Sequence, residues 1–433
     1  MKSLNEFFYT LIRAYADSRF KLAYSRVEIV GLENVPKDGA VIFAPNHTNA
    51  LMDALAVSQI SVPPIVYVAR ADMFRKPLLA KMLNFIKMMP IARMRDGISS
   101  LKRDAEIMER AVVALKSGLA FCIMAEGTQR AKHSLLPLVK GIFRIALQAD
   151  ESMGSEKPVY IVPMGIEYGD YFRFRSTVLL QIGKPLCVTD IVRAHSDLGK
   201  PELINLLRQE LAEAMKQLIL YIPVDDRYEA VLELTTLLNR EQCRLMGCSD
   251  YLLKNRLEAS RKIVECCSTN TAEVSEMLDK ANYFAEERKR LKISEEVVRN
   301  PDFSKFGLAE SMILLILLFP YFVFSAVITS PVTLMYNYLC AKMKDVEFNN
   351  TIRFAVTAIM APFWLITIIL VVGLCVNWWW SVVITVLAVP AHSFLHDYLH
   401  STRILLSKIK SLRNKKLRNL IIQLNSFYLT LQK

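Results

Sequence analysis

The amino-acid sequence predicts a membrane protein of mixed class, with an α/β domain first, a helical segment next and transmembrane helices towards the C-terminus. Three observations predict it. Short apolar β-type runs alternate with helical patterns over roughly the first 220 residues, the mark of an α/β layer. Charged residues at helical spacing then take over, with no strand signal, from Asp225 to Asn300. Finally, no Asp, Glu, Lys or Arg occurs from Ser311 to Ala341 or from Phe354 to His396, and each run exceeds the roughly 20 apolar residues that cross a bilayer core. At 433 residues the chain is too long for one core. An apolar content of 53%, with only 14 glycines and 17 prolines, excludes a disordered chain or a loop-rich secreted scaffold.

Residues 1–26 read as an amphipathic helix, with Phe7, Phe8, Leu11, Ile12 and Tyr15 on one side and Arg13, Arg19, Lys21 and Arg26 flanking, a pattern that suits a membrane surface. Glu6 interrupts the apolar pattern and no small-residue cleavage site follows, so no signal peptide is expected and the next domain is expected on the cytoplasmic face. Residues 27–223 form the α/β domain. Strands are expected at Val27–Val30, Ala40–Ala44, Ile65–Ala69, Leu119–Met124, Val159–Ile166 and Val178–Ile182. Helices are expected at Leu51–Gln59, Lys76–Lys87, Leu101–Lys116, Gly141–Gln148 and Pro201–Leu220, the last opened by a proline suited to a first helical turn. Residues 224–303 predict two or three soluble helices, a spacer or docking platform.

Residues 304–400 make the membrane domain. Pro320 and Pro331 interrupt its first run, which reads as a re-entrant hairpin, while the second is long enough for two helices turning near Gly373 to Trp378. That arrangement keeps the crossings even, as a cytoplasmic α/β domain and a cytoplasmic basic tail require. The tail, residues 401–433, holds eight Lys or Arg and no acid. With Leu405, Ile409, Leu412, Leu420, Leu424 and Phe427 at helical multiples, it reads as a basic amphipathic helix on the membrane surface, and packing on the soluble part is the alternative.

The net charge of +12 is concentrated in that tail and in Arg70–Arg103, which has nine Lys or Arg against two Asp. Beside membrane spans such patches suit anionic lipid or a phosphorylated substrate, and no nucleic-acid partner is expected. The cysteines at 122, 187, 243, 248, 266, 267, 340 and 375 lack zinc-hairpin spacing and suit free thiols in a reducing compartment. Trp378 to Trp380 read as an interfacial belt. His392, His396 and His400 lie four apart on one helical face with Asp397 beside them, but no metal is assigned to them.

Chemistry is concentrated where the second strand runs into Asn46-His47-Thr48-Asn49-Ala50-Leu51-Met52-Asp53. A histidine at a strand exit and a carboxylate at the start of the next helix make a base and its orienter. Six residues apart they would not face each other if both were helical, so His47 is expected in the turn. Three more segments accompany the pair: Met89-Pro90-Ile91-Ala92-Arg93-Met94-Arg95, Phe121-Cys122-Ile123-Met124-Ala125-Glu126-Gly127-Thr128-Gln129-Arg130, and Ile161-Val162-Pro163-Met164.

In order and spacing these four segments, over roughly residues 25 to 220, resemble the four blocks of the glycerophospholipid acyltransferase family, which includes glycerol-3-phosphate and 1-acylglycerol-3-phosphate acyltransferases. Two details depart from its commonest pattern. Five residues rather than four separate His47 from Asp53, and Ala125 and Gln129 replace the usual proline and arginine of the third block. The resemblance implies an α/β acyltransferase domain with a mixed sheet flanked by helices. It implies that His47 takes the proton from the acceptor hydroxyl, that Asp53 holds the imidazole, and that the hydroxyl attacks an acyl thioester directly, without an enzyme nucleophile. It places Arg93 on the acceptor phosphate and Glu126, Gly127 and Thr128 in the acceptor-binding turn. Arg95, Arg130 and Lys140 are further basic neighbours that fall on no position the family pattern fixes. No cofactor is implied beyond the co-substrate, an acyl-CoA or acyl carrier protein thioester, and membrane lipids are the other partners. An acyltransferase for another lipid acceptor, such as an amino-acid lipid, and a non-catalytic basic membrane anchor are the competing functions.

Overall fold

A computed structural model describes residues 4–60, 64–91, 99–154, 157–269, 271–343 and 345–432. The chain divides into two compact units, Met1–Ile219 with Asp345–Thr351, and Leu220–Lys344 with Ile352–Lys433.

The first unit opens with α1 (Leu4–Ala23), whose Phe7, Phe8, Leu11 and Ile12 are exposed, and passes directly into β1 (Tyr24–Val30). β2 (Ala40–Pro45) leads through a tight turn to α2 (Leu51–Ser58), and β3 (Ile65–Arg70) is followed by α3 (Pro77–Phe85) and β4 (Met88–Ile91). α4 (Ser99–Lys116), β5 (Ala120–Cys122), α5 (Lys140–Met153), β6 (Val159–Tyr168), β7 (Ser176–Ile182), β8 (Leu186–Cys187), α6 (Val188–Ala194) and α7 (Lys200–Lys216) complete it. All six expected strands form, and β4, β8 and the short α6 are additional.

The sheet order is β1-β7-β6-β2-β5-β3-β4, with β8 paired to β6. β2 lies parallel to both β6 and β5, β3 parallel to β5 and β4, and β1 parallel to β7. Only β7 and β8 run antiparallel to their neighbour β6, so the sheet is mixed. Consecutive residues of β2 and β6 are buried, as expected for strands covered on both faces. One continuous core joins Ile42, Phe121 and Ile161 of the sheet to Leu115 of α4, Phe143 of α5 and Leu207 of α7. Pro163 does not end its strand. It pairs with Ala44, and β6 runs on to Tyr168.

The second unit holds α8 (Tyr228–Leu245), α9 (Leu253–Cys267), α10 (Ala272–Leu291) and the five-residue α11 (Glu295–Arg299), one more helix than the upper expectation. Then come α12 (Lys305–Lys342), the main part of α13 (Asn349–Cys375), α14 (Trp378–Arg413) and α15 (Lys415–Leu431). Among the described residues three helices, over Lys305–Lys342, Val346–Cys375 and Trp378–Arg413, are long and apolar enough to cross a membrane.

Two expectations about this region need correction. Ser311–Ala341 is not a re-entrant hairpin with a break but lies within one helix, Pro320 and Pro331 included. In apolar surroundings a helix tolerates the missing N–H and bends instead of ending. The tail, in turn, is neither one element nor a surface helix. Residues 401–413 continue α14, Asn414 then accepts from Leu417 N–H as the N-cap of α15, and α15 packs its apolar stripe on the soluble helices. Leu417, Ile421, Leu424 and Tyr428 are buried, and the Tyr428 hydroxyl donates to Gln242 Oε1 of α8 at 2.7 Å. Two of the charges expected on lipid contact the protein, Lys416 on Tyr283 of α10 and Lys408 over the Phe303 ring. His396 bonds Tyr336 at 3.1 Å while His400 bonds Glu296 at 2.9 Å, and among the described residues no three His, Cys, Asp or Glu side chains are grouped to hold a metal ion.

Candidate active site

The parallel strands β6, β2 and β5 are neighbours, so their carboxyl ends open along one edge of the sheet, where ligands of open α/β sheets bind. Every predicted catalytic or substrate-binding residue that the structure describes lies there, in the turn after β2, the first turn of α2 or the loop after β5. Asn46 prolongs the β2 ladder with its side chain, its Oδ1 accepting from Ile166 N–H at 2.7 Å and its Nδ2 donating to Ile166 O at 3.1 Å. His47 is then fixed at both backbone groups. Its N–H donates to Glu126 Oε1 at 2.8 Å and its carbonyl accepts from Arg130 N–H at 3.1 Å, which staples the two loops together.

Asp53 occupies the first turn of α2 and is 0% exposed. Its Oδ2 accepts from Thr48 N–H at 2.9 Å and Asn49 N–H at 2.8 Å, and His47 Nδ1 lies 2.8 Å from the same atom. Its Oδ1 accepts from the Tyr168 hydroxyl at 2.7 Å. Four donors compensate a charge that burial would otherwise penalise. Because two amides already point at Oδ2, the imidazole meets it as a third donor. Nδ1 is therefore the donor in this pair, and in a neutral imidazole that leaves the lone pair on Nε2, the tautomer a general base needs. His47 sits in the turn, as its spacing from Asp53 required, and its side chain is 18% exposed, open enough to meet a substrate.

Glu126 is 5% exposed and both its oxygens are taken, Oε1 by His47 N–H and Oε2 by Leu136 N–H at 2.8 Å. Burial pushes its carboxyl up, and those two amides and the nearby His47 pull it back. The carboxylate thus acts on the shape of the site. Gly127 does the same, with φ of +64°, a Cβ position that would fall 2.5 Å from Val139 Cγ1, and an N–H donated to Met124 O. Thr128 is exposed beside it, Arg130 bonds Ser134 through its guanidinium, and Lys140 opens α5. Arg93 and Arg95 lie outside the described residues, and β4, which precedes them, ends at Ile91 on this same edge of the sheet.

Sequence reasoning missed Tyr168. Burial, and then the charge of Asp53, hold its phenol well above the ordinary range, so it stays a donor. Its position at the carboxyl end of β6 was the available signal. His133, whose Nδ1 lies 3.3 Å from Glu167 Oε2, forms a second imidazole–carboxylate pair near Tyr171 and was also missed. Asn350 and Thr351, which reach the turn from the distant end of the unit, gave no sequence signal at all.

A family model described as Acyltransferase matches residues 26–167, the stretch that holds all of this geometry. The chain carries an acyltransferase domain of the glycerophospholipid acyltransferase family. The acyltransferase domain is 25% identical over 193 residues to the 1-acyl-sn-glycerol-3-phosphate acyltransferase of Bacillus subtilis (strain 168), spanning 44% of this chain and 89% of that one. It is 22% identical over 213 residues to the 1-acyl-sn-glycerol-3-phosphate acyltransferase of Borreliella burgdorferi, spanning 48% and 79%. Among solved structures it is similar to the 1-acyl-sn-glycerophosphate acyltransferase PlsC of Thermotoga maritima, with 20% identity, 50% of this chain and 82% of that chain covered, and a TM-score of 0.35.

Proposed function

We propose that this acyltransferase moves a fatty acyl group from a CoA or carrier-protein thioester to 1-acylglycerol 3-phosphate or glycerol 3-phosphate, with His47 as general base. The observation that supports it most is the His47–Asp53 pair, Nδ1 bonded to a fully buried carboxylate and Nε2 left to receive a proton. In this reading the acceptor hydroxyl gives its proton to Nε2 as its oxygen attacks the thioester carbonyl. The tetrahedral intermediate collapses, the C–S bond breaks, and the imidazolium returns the proton to the leaving thiolate, giving an ester and a free thiol. Arg93 is assigned to the acceptor phosphate from its place in the second sequence block, two residues after the end of β4. The domain is assigned to the cytoplasmic face of the membrane, in keeping with eight free cysteines and the basic stretch from Arg70 to Arg103.

The test is acyl transfer by the purified full-length protein, with radiolabelled acyl-CoA and acyl carrier protein as alternative donors and a panel of acceptors that includes an amino-acid lipid. His47→Ala should lose on the order of 10² to 10⁴ in rate while remaining folded in the membrane fraction. Near-normal turnover by that variant would remove His47 from the mechanism. Preference for the amino-acid lipid would replace the acceptor and leave the chemistry.

A further inference from the structure

We propose that Asn350 and Thr351, in the first turn of α13, are positioning residues that clasp the catalytic turn and hold the His47–Asp53 pair in register. The inference rests on His47 acting as the base.

α2 begins without a cap of its own. The residue in the N-cap position is Ala50, which has no side-chain acceptor and stands at φ +47° and ψ −124°. A residue with a β-carbon holds such a backbone only when its surroundings fix it, and here both flanks are fixed. On one side the Asn49 side chain donates to Tyr171 O at 3.3 Å and accepts from Asn350 Nδ2 at 3.2 Å, while Asn350 also donates to Tyr171 O. On the other side Leu51 N–H, the first amide of α2, donates to Thr351 Oγ1 at 3.2 Å. Thr351 thus does for α2 what a serine or threonine N-cap does for most helices, from 300 positions away in the sequence.

The clasp matters because the same few residues carry the catalytic geometry. Asp53 lies two residues beyond Leu51, and it receives the N–H groups of Thr48 and Asn49 on the oxygen that holds His47. Release of Leu51 and Asn49 lets Ala50 relax, which turns the first turn of α2 against the residues before it. A misplacement of about 1 Å between a base and the group it acts on is enough to slow a proton transfer without any change in substrate contacts. Asn350 and Thr351 touch Asn49, Tyr171 and Leu51, so their loss is expected in kcat and not in KM.

The experiment uses the full-length protein in lipid nanodiscs and compares Thr351→Val, Thr351→Ser and Asn350→Ala with His47→Ala, alone and combined with Thr351→Val. Thr351→Val and Asn350→Ala should each lower kcat about 10-fold, the worth of one ordinary hydrogen bond, with KM for donor and acceptor unchanged. Thr351→Ser should restore the rate, and Thr351→Val should take nothing further from the residual rate of His47→Ala. Wild-type kcat in Thr351→Val, a loss carried by KM, or a serine variant as slow as the valine one would overturn the clasp. Should the valine variant fail to accumulate, Asn350→Ala against wild type decides by the same kcat and KM criteria. Normal turnover by His47→Ala would instead remove the base assignment on which the clasp depends, so the two failures are told apart.

Discussion

Replacing Asp53 by Asn separates the charge of this residue from its geometry. An amide can present its oxygen or its NH2 group to His47. Here the choice is forced, because Thr48 N–H and Asn49 N–H converge on the Oδ2 position together with the imidazole. The carboxamide oxygen must take that place, and its NH2 then faces Tyr168, whose hydroxyl can turn to accept. The productive tautomer survives and only the negative charge is lost. A charge-assisted hydrogen bond exceeds a neutral one by about 1 to 1.5 kcal/mol, roughly 10-fold in rate. A full unit charge about 4 Å from the imidazolium, at an effective dielectric of about 20, is worth about 4 kcal/mol, near 10³-fold. The Asn variant should therefore lose about 10-fold to 10³-fold in kcat, less than the roughly 10⁴-fold seen where the same exchange inverts the tautomer of a catalytic histidine. Asp53→Ala should fall to the level of His47→Ala and lose stability as well, since two buried amides lose their acceptor at about 1 to 3 kcal/mol each. Initial rates of thiol release at saturating substrates, with thermal unfolding measured alongside, give both readings. An Asn variant as fast as wild type would show that the charge is not needed. A loss of roughly 10⁴-fold would show that the NH2 faces the imidazole, against the arrangement of donors described.

Glu126→Gln should destabilise the domain by about 1 to 3 kcal/mol, because one end of the amide must face a backbone N–H that now meets a donor. At about 2 to 4 °C per kcal/mol for a domain of this size, an unchanged melting temperature would refute it. Gly127→Ala should cost at least about 2 kcal/mol, from a positive φ and a Cβ 2.5 Å from Val139 Cγ1. Val139→Ala should recover part of that loss in the double variant, and strict additivity in denaturant titrations would exclude the clash. Arg93→Ala should raise the KM for a phosphorylated acceptor about 10-fold to 100-fold and leave that for the acyl donor, so parallel changes in both would count against a phosphate contact.

What the sequence revealed and what it hid divide along the distance between interacting residues. The six expected strands carry continuous apolar runs, and all are present with ends shifted by a few residues. β4 escaped because Met88–Ile91 is four residues long and contains Pro90, and β8 because two residues make no pattern. His47 and Asp53 were legible because six residues bring both into one turn and its helix. Tyr168 meets Asp53 across 115 positions and Asn350 meets Asn49 across 301, and no local pattern announces such partners. The tail misled for another reason. A basic amphipathic helix has the same pattern on lipid as on protein, and the break that redirects it rests on the single cap Asn414.

The acceptor that Thr351 supplies to Leu51 has a consequence in time. Chains leave the ribosome N-terminus first at about 5 to 20 residues per second, so the hydroxyl emerges about 15 to 60 s after the amide it receives. Within that interval Asp53, the rest of the sheet and the core are synthesised, but α2 still lacks its cap. The last contact of the active site is thus contributed by a segment made after the first apolar helix, and a nascent chain halted before residue 351 carries the acyltransferase domain with its catalytic turn unfinished.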